Sequence, residues 1–367
     1  MSDRGAARAR IDRVVVVGPL PPPVTGAAKN TAALADRLAA LVPVHRLNIS
    51  SPRAPKSVGY HADRAWRVAL ALPRVLWLTA RHRCSLYLCI SGGLGVFYDL
   101  LFLAVARLFA RRTVIHHRNF TYVDRHSRGM AVAVAAAGQK ATHVFLCDRM
   151  RERFRAQYPR SFQAIVVTNA AHTPARAAPK RVSTGRLTIG LLSNLWVEKG
   201  TLDFIALFER LVADGRDVGA LMAGPVWDRQ TETAIARAQR NHGDRFAWLG
   251  PVYGDDKDRF FDAIDLFIFP TRYPNEAEPN VVYEAMAAGV PVIATDRGCI
   301  PNQLADAGVA ISSTEGFVET ALASVLMFMD PDKLHSFRER AKARFMSLKN
   351  NDKEVQSIFG SILGDFI

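Results

Sequence analysis

Cysteine is scarce in this chain: four in 367 residues, at positions 84, 89, 147 and 299. No two form a C-x-x-C pair, and none has a histidine at zinc-ligand spacing, so the pattern offers no structural metal site. Long apolar runs are also missing. No stretch reaches the roughly 20 apolar residues that a membrane span requires. The apolar segment 11–17 is too short for a signal-peptide core and runs directly into Gly18-Pro19-Leu20-Pro21-Pro22-Pro23, so it reads as the first buried strand of a cytoplasmic chain. No acidic D-x-D motif stands at a strand end in the first half. Acidic residues as a class are thin there: residues 1–183 hold 8 Asp and Glu against 29 Lys and Arg, a net of +21. The remainder holds 26 against 19, a net of −7. Such asymmetry points to a polyanion facing the N-terminal half, either nucleic acid or an anionic membrane leaflet. A merely solubilising Arg-rich surface is the third account. Aromatic-rich basic motifs are absent, which speaks against a nucleic-acid partner.

What the chain does have is alternation. With 49% apolar residues it can build two ordinary cores. Strands are expected at 12–18, 44–48, 86–90, 113–117, 143–147 and 164–169. Helices are expected near 27–41, 97–109, 128–140 and 148–157. A Pro-, Ala- and Arg-rich stretch then reads as a linker. The order restarts with strands at 187–193, 220–224, 245–250, 265–269 and 290–294. The intervening helices fall near 200–213, 228–240 and 255–263. βαβα order in both halves gives parallel sheets with helices on both faces. The predicted layout is an N-terminal domain over 1–175, a linker over 176–186, a C-terminal domain over 187–345, and a helical end over 346–367.

The most informative stretch is 270–294, PTRYPNEAEPNVVYEAMAAGVPVIA. Glu276 and Glu284 stand eight positions apart. Pro279-Asn280 opens a helix, Pro279 suiting the first helical position, and Gly289 with Pro291 stops it. The flanking runs FIFP and VPVIAT read as buried parallel strands, so both carboxylates fall at strand carboxyl ends, where open α/β sheets hold ligands.

This stretch resembles the signature of family four of the retaining glycosyltransferases (glycosyl transferases group 1), in which an E-x7-E element precedes a small-Gly-x-Pro-Val-Ile segment. The resemblance implies an α/β fold of GT-B type, two Rossmann-like doubly wound domains facing each other across a cleft. It assigns Glu284 to the nucleotide ribose and Glu276 to the donor sugar. Where the family has Gly-Phe-Gly after the first glutamate, this chain has Ala277-Glu278-Pro279. Pro279 has no N–H to give a phosphate, and Glu278 adds a charge that a diphosphate would oppose.

Four further segments fit the same resemblance. GPLPPPVTGAAKN at 18–30 matches the family's N-terminal proline-glycine loop, where Gly26 would approach the donor; by its own spacing it is no dinucleotide fingerprint. In GLLSNLWVEKG, Lys199-Gly200 match an Arg…Lys-Gly element that neutralises the leaving diphosphate, with Asn194 in place of the arginine. In VIHHRNF, a strand-terminal histidine, His116 or His117, would meet sugar or acceptor. Gly250-Pro251-Val252-Tyr253 matches the loop that takes the base. Asn280 and Val281, at the start of the signature helix, complete the donor-binding set. Segment 66–83, apolar with arginine punctuation, reads as either an interfacial or a buried helix.

The implied reaction transfers a sugar from a nucleoside diphosphate sugar to a hydroxyl with retention, with no metal and no cofactor, Lys199 and backbone N–H groups serving the diphosphate. A saccharide or lipid-linked saccharide is the implied acceptor. Surface polysaccharide or glycolipid assembly is the expected setting, with an anionic membrane surface as a candidate partner on the inner face of the plasma membrane. A GT-B nucleotide-sugar epimerase or phosphorylase, and a non-enzymatic nucleic-acid binder, are the competing classes.

Overall fold

The computed structural model describes residues 11–52, 58–176, 185–312 and 316–364. The chain divides into two units, Met1–His172 with Asn351–Ile367, and Thr173–Asn350. Most of the sequence-predicted linker, residues 177–184, lies outside the described residues.

The first unit starts from a strand with no polar interruption. Val14 to Val17 are all fully buried, which a strand achieves only when both sheet faces are covered, as in parallel α/β sheets. β1 (Arg13–Gly18) leads through the proline loop to α1 (Gly26–Ala39) and β2 (Val44–Asn48). α2 (Val58–Arg81), β3 (Cys84–Ile90), α3 (Gly95–Phe109) and β4 (Arg112–His117) follow. Next come α4 (Thr121–Asp124), α5 (Arg128–Ala137), β5 (Thr142–Phe145), α6 (Asp148–Gln157) and β6 (Gln163–Val166). The six strands pair in parallel in the order β2-β1-β3-β4-β5-β6. Parity divides the two faces. Val14, Val16, Tyr87, Cys89, Val114 and Val144 share a core with Leu34 and Leu38 of α1 and with Ile358 and Ile362 near the C-terminus.

The second unit repeats the scheme. β7 (Leu187–Leu192), α7 (Thr201–Ala213), β8 (Val218–Ala223), α8 (Arg229–His242) and β9 (Phe246–Trp248) build one wing. α9 (Asp255–Asp262), β10 (Leu266–Phe269), α10 (Asn280–Ala287), β11 (Val292–Thr295), α11 (Ile300–Leu304) and β12 (Gly308–Ile311) build the other. α12 (Phe317–Phe328) and α13 (Pro331–Lys349) close it. The sheet order β12-β11-β10-β7-β8-β9 is parallel throughout. Succession therefore reverses between β7 and β10. That reversal is the topological switch point, the place where such sheets hold ligands. Finally α14 (Asp352–Leu363) returns to the first unit: Glu354 accepts from the Thr168 backbone N–H at 2.7 Å, and Ser85 donates to the Ile362 carbonyl.

Two expectations need correction. Pro279 is the residue before α10, not its first turn (φ −69°, ψ 123°). The helix over 66–83 extends from Val58 to Arg81 and carries Pro73 within it. β12, α11 and α12 had no sequence counterpart. Among the described residues no helix is long and apolar enough to cross a membrane.

Candidate active site

The switch point of the second sheet is assembled by close backbone approach. After β7, a 3₁₀ turn at Val197–Lys199 ends in Gly200 with φ +77°. A Cβ there would lie 2.0 Å from the Pro270 carbonyl oxygen at the end of β10, so only glycine lets the two loops touch. The contact is extended by the Arg272 N–H, which donates to the Glu198 carbonyl at 2.8 Å, and by the Arg272–Asp203 ion pair at 2.8 Å. The loop joining β10 to α10 is also held from the β11 side. Thr295 Oγ1 donates to the Thr271 carbonyl at 2.6 Å, the Cys299 N–H donates to the Ala277 carbonyl at 2.6 Å, and Arg297 Nε donates to the Tyr273 carbonyl at 3.2 Å. Gly298 (φ +59°) passes so close that a Cβ would meet the Ala277 carbonyl oxygen at 2.3 Å.

This framework brings Lys199 and Glu276 together. The ammonium pairs with Glu276 Oε2, which also accepts from Thr271 Oγ1 at 3.3 Å. The two side chains are 14% and 12% exposed, so the pair is largely shielded from water. Lys199 also lies 4.6 Å from the Tyr273 ring centroid, a cation–π contact, and Trp196 packs against the same ring.

On α10 the uncovered residues are Asn280, Val281 and Glu284, one stripe at i, i+1 and i+4; Val282, Tyr283, Ala285, Met286 and Ala287 are buried. The three sequence-predicted positions of this helix are therefore its accessible face. Glu284 pairs with Lys257 of α9, a residue that sequence reasoning missed and for which the sequence holds no signal. Asn194 is exposed in the loop after β7, and Tyr253 is 65% exposed in the loop before α9.

Glu278 departs from expectation. It is 6% exposed and accepts a 2.6 Å hydrogen bond from the Tyr283 hydroxyl. Its carboxylate is taken up by this interior contact, whereas the sequence set it as a charge opposing the diphosphate.

In the first unit, Gly26 opens α1, and Thr25 caps the helix through a 3.1 Å bond from the Ala28 N–H. Asn48 braces the proline loop by donating to the Leu20 and Pro22 carbonyls at 2.8 and 3.0 Å. The two histidines alternate as adjacent strand residues must, yet both are buried. His117 is fully enclosed: its ring stacks on Phe145 at 4.7 Å and bonds Tyr122 Oη at 3.1 Å and His143 Nδ1 at 2.9 Å. Both ring nitrogens are used internally, so neither is free to meet a sugar or an acceptor as the sequence expected of one of the two histidines. His116 turns to the α1 face. Its Nδ1 meets Tyr87 Oη at 2.6 Å and the Arg118 guanidinium at 3.5 Å, and its buried Nε2 has no partner among the described residues. Burial, reinforced for His116 by Arg118, pushes both imidazoles well below their ordinary pKa of 6.5. Both are neutral at pH 7.

Residues 186–325 match the family described as Glycosyl transferases group 1. The whole chain superposes on several solved structures. HepE of Anabaena, in complex with UDP and glucose, gives a TM-score of 0.64 at 16% identity, covering 95% of this chain and 100% of that one. Sucrose-phosphate synthase of Thermosynechococcus elongatus gives 0.70 at 12% identity, covering 95% and 97%. The fold is GT-B. WaaG, a glycosyltransferase involved in lipopolysaccharide biosynthesis, shares it with a TM-score of 0.62 at 12% identity, covering 94% and 98%. A curated relative, the 2-deoxystreptamine N-acetyl-D-glucosaminyltransferase of Streptomyces fradiae, is 31% identical over 115 residues. That match covers 30% of this chain and 26% of the relative. The stretch similar to that family thus falls within the second unit, and the switch point lies inside it.

Proposed function

We propose that the chain is a retaining glycosyltransferase that moves a sugar from a nucleoside diphosphate sugar to a hydroxyl acceptor. The observation that carries the proposal is the shielded Lys199–Glu276 pair at the switch point, beside the accessible stripe Asn280, Val281 and Glu284. The group 1 domain and the UDP-bound neighbour support the choice of donor.

The donor's diphosphate is drawn to the Lys199 ammonium and to the N–H groups at the start of α10, where the helix dipole favours an anion. Glu276 then holds a donor sugar hydroxyl and faces the anomeric carbon as it becomes positive. Glu284 accepts from the ribose hydroxyls. The bond between the anomeric carbon and the diphosphate oxygen breaks, and the acceptor oxygen bonds the carbon on the same face. The departing oxygen takes the acceptor proton. Lys199 stabilises the charge that develops on it, so the step needs neither a metal ion nor a strong protein base. The first unit is assigned to the acceptor, a saccharide or a lipid-linked saccharide in bacterial surface polysaccharide or glycolipid assembly.

Incubation with a panel of nucleoside diphosphate sugars, followed by NMR of the product's anomeric signal, tests the reaction and its stereochemistry. Glu276→Gln and Lys199→Ala are each expected to lower kcat by roughly 10²–10³, the scale of removing one transition-state charge contact. EDTA should leave the rate unchanged. Losses within about threefold for both variants, under roughly 0.7 kcal/mol of barrier, would refute the assignment.

A further inference from the structure

Surface helices of soluble proteins turn apolar residues inward and charge outward. α2 and α3 are apolar on both sides. On α2, Val68, Val75 and Leu78 are buried, yet Trp66 (64% exposed), Leu70 (59%), Pro73 and Trp77 (54%) form an outward stripe. On α3, Phe102, Leu103 and Ala106 are buried while Phe97, Leu101 and Leu108 (76% exposed) point out. The helices pack against each other, so the stripes lie on the same side of the first unit. Nine of the sixteen exposed large apolar side chains among the described residues fall between positions 66 and 109. That is a concentrated patch, and such patches mark interaction sites.

The charges around it are of one sign. Arg74 and Arg81 flank the α2 stripe and Arg107 the α3 stripe, all exposed. The acid on the outer part of α2, Asp63, is tied to Arg67 at 2.8 Å, and the acid on α3, Asp99, is fully buried. We infer that the outward face of α2 and α3 lies on an anionic lipid bilayer, its tryptophans and leucines entering the headgroup region while the arginines meet lipid phosphates. Exposed indoles beside guanidinium groups suit that boundary, and neither helix is long and apolar enough to go through it. A second copy fits worse: two-fold pairing sets the arginines against one another with no opposing carboxylates. The inference stands apart from glycosyl transfer, because its readout needs no activity.

The test is co-sedimentation of the full chain with phosphatidylcholine vesicles, with and without about 30 mol% phosphatidylglycerol. Wild type is expected to bind the anionic vesicles, to bind neutral ones at least roughly tenfold more weakly, and to dissociate as salt rises. The variant Trp66→Ser/Trp77→Ser/Leu101→Ser should lose at least roughly tenfold in vesicle affinity. It should keep its melting temperature and its transfer rate on a soluble acceptor. A second variant, Arg74→Glu/Arg81→Glu/Arg107→Glu, should lose the preference for phosphatidylglycerol. The inference is overturned by absence of vesicle binding, by equal binding of wild type and both variants, or by a concentration-dependent dimer that the serine substitutions dissolve in place of vesicle binding.

Discussion

Acidification should unfold this protein through three histidines that the fold holds neutral. His116, His117 and His143 are at most 1% exposed. Burial keeps their folded-state pKa values far below 6.5, that of His143 at about 3. In the unfolded chain each titrates near 6.5. Below that pH the unfolded state gains protons that the folded state refuses, so stability is intact above pH 6.5 and drains away as the pH falls. Between pH 7.0 and 5.5 the loss is about 1 to 1.5 kcal/mol per histidine, roughly 4 kcal/mol for the three. Asp99 works in the opposite sense. Burial raises its pKa from 3.8 to about 6, so the folded state takes up that proton first and recovers about 1 kcal/mol over the same interval. The expected net loss is roughly 3 kcal/mol, a large fraction of a typical stability.

Urea unfolding at the two pH values measures it, and His117→Phe isolates one histidine. At pH 7.0 this variant should cost roughly 1–3 kcal/mol, because the Tyr122 hydroxyl and His143 Nδ1 lose a buried partner. The gap between pH 7.0 and 5.5 should nonetheless narrow by about 1 kcal/mol, and kcat at pH 7.5 should stay within a few-fold of wild type. An unchanged gap would refute the linkage argument. A folded variant with transfer lost by more than about tenfold, a barrier change above 1.4 kcal/mol, would return His117 to the reacting groups.

Two further outcomes are expected in the second unit. Lys257→Met keeps the apolar stem but leaves Glu284 without its cation, so donor KM should rise roughly tenfold with kcat little changed, the signature of lost uniform binding; a pure kcat effect in steady-state kinetics would place Lys257 on the reacting groups. Gly298→Ala forces a Cβ at φ +59° to within 2.3 Å of the Ala277 carbonyl oxygen. It should cost about 2 kcal/mol or more in thermal unfolding, and a neutral melt would show that the Glu276 loop is free to shift.

The fold was legible where chemistry repeats along the chain. Apolar runs bounded by turns gave every strand of the two sheets except β12, and the 276–291 segment gave α10 and its stop. α2 was harder to bound because its outward residues are as apolar as its inward ones, which blurs the 3.6-residue period that marks a surface helix. β12 is an edge strand with only Ile311 buried, so it lacks a buried apolar run. The site divided along the same line. Glu276, Glu284 and Lys199 stood out by local context, and alternation along β4 sent His116 and His117 to opposite faces as the sequence required. Their partners did not stand out. Lys257 lies 27 positions before Glu284, and His143 lies 26 after His117; contacts of that kind are set by strand order, which no local pattern records.

Three glutamates within nine residues show how little of a carboxylate's role its identity fixes. Glu278 points into the unit and is satisfied by the Tyr283 hydroxyl, so its work is to hold the start of α10 against the core. Glu276 and Glu284 are each balanced by a lysine from another element, Lys199 from the β7 side and Lys257 from α9. A carboxylate already paired with an ammonium is a poor base, but it retains lone pairs for sugar or ribose hydroxyls. The lysine, in turn, retains N–H donors for a phosphate. Each pair can thus take a neutral hydroxyl on one side and an anionic oxygen on the other without burying an unbalanced charge, the arrangement that costs least in a shielded site. On this account Glu276→Gln is not a neutral isostere. It strips Lys199 of its counter-ion as well as altering the sugar contact, so the variant should hold the diphosphate product more tightly while transferring sugar more slowly. Titration calorimetry with the nucleoside diphosphate reads the first change and single-turnover kinetics the second; weakened product binding in the variant would show that the pair does not share its charge with the donor.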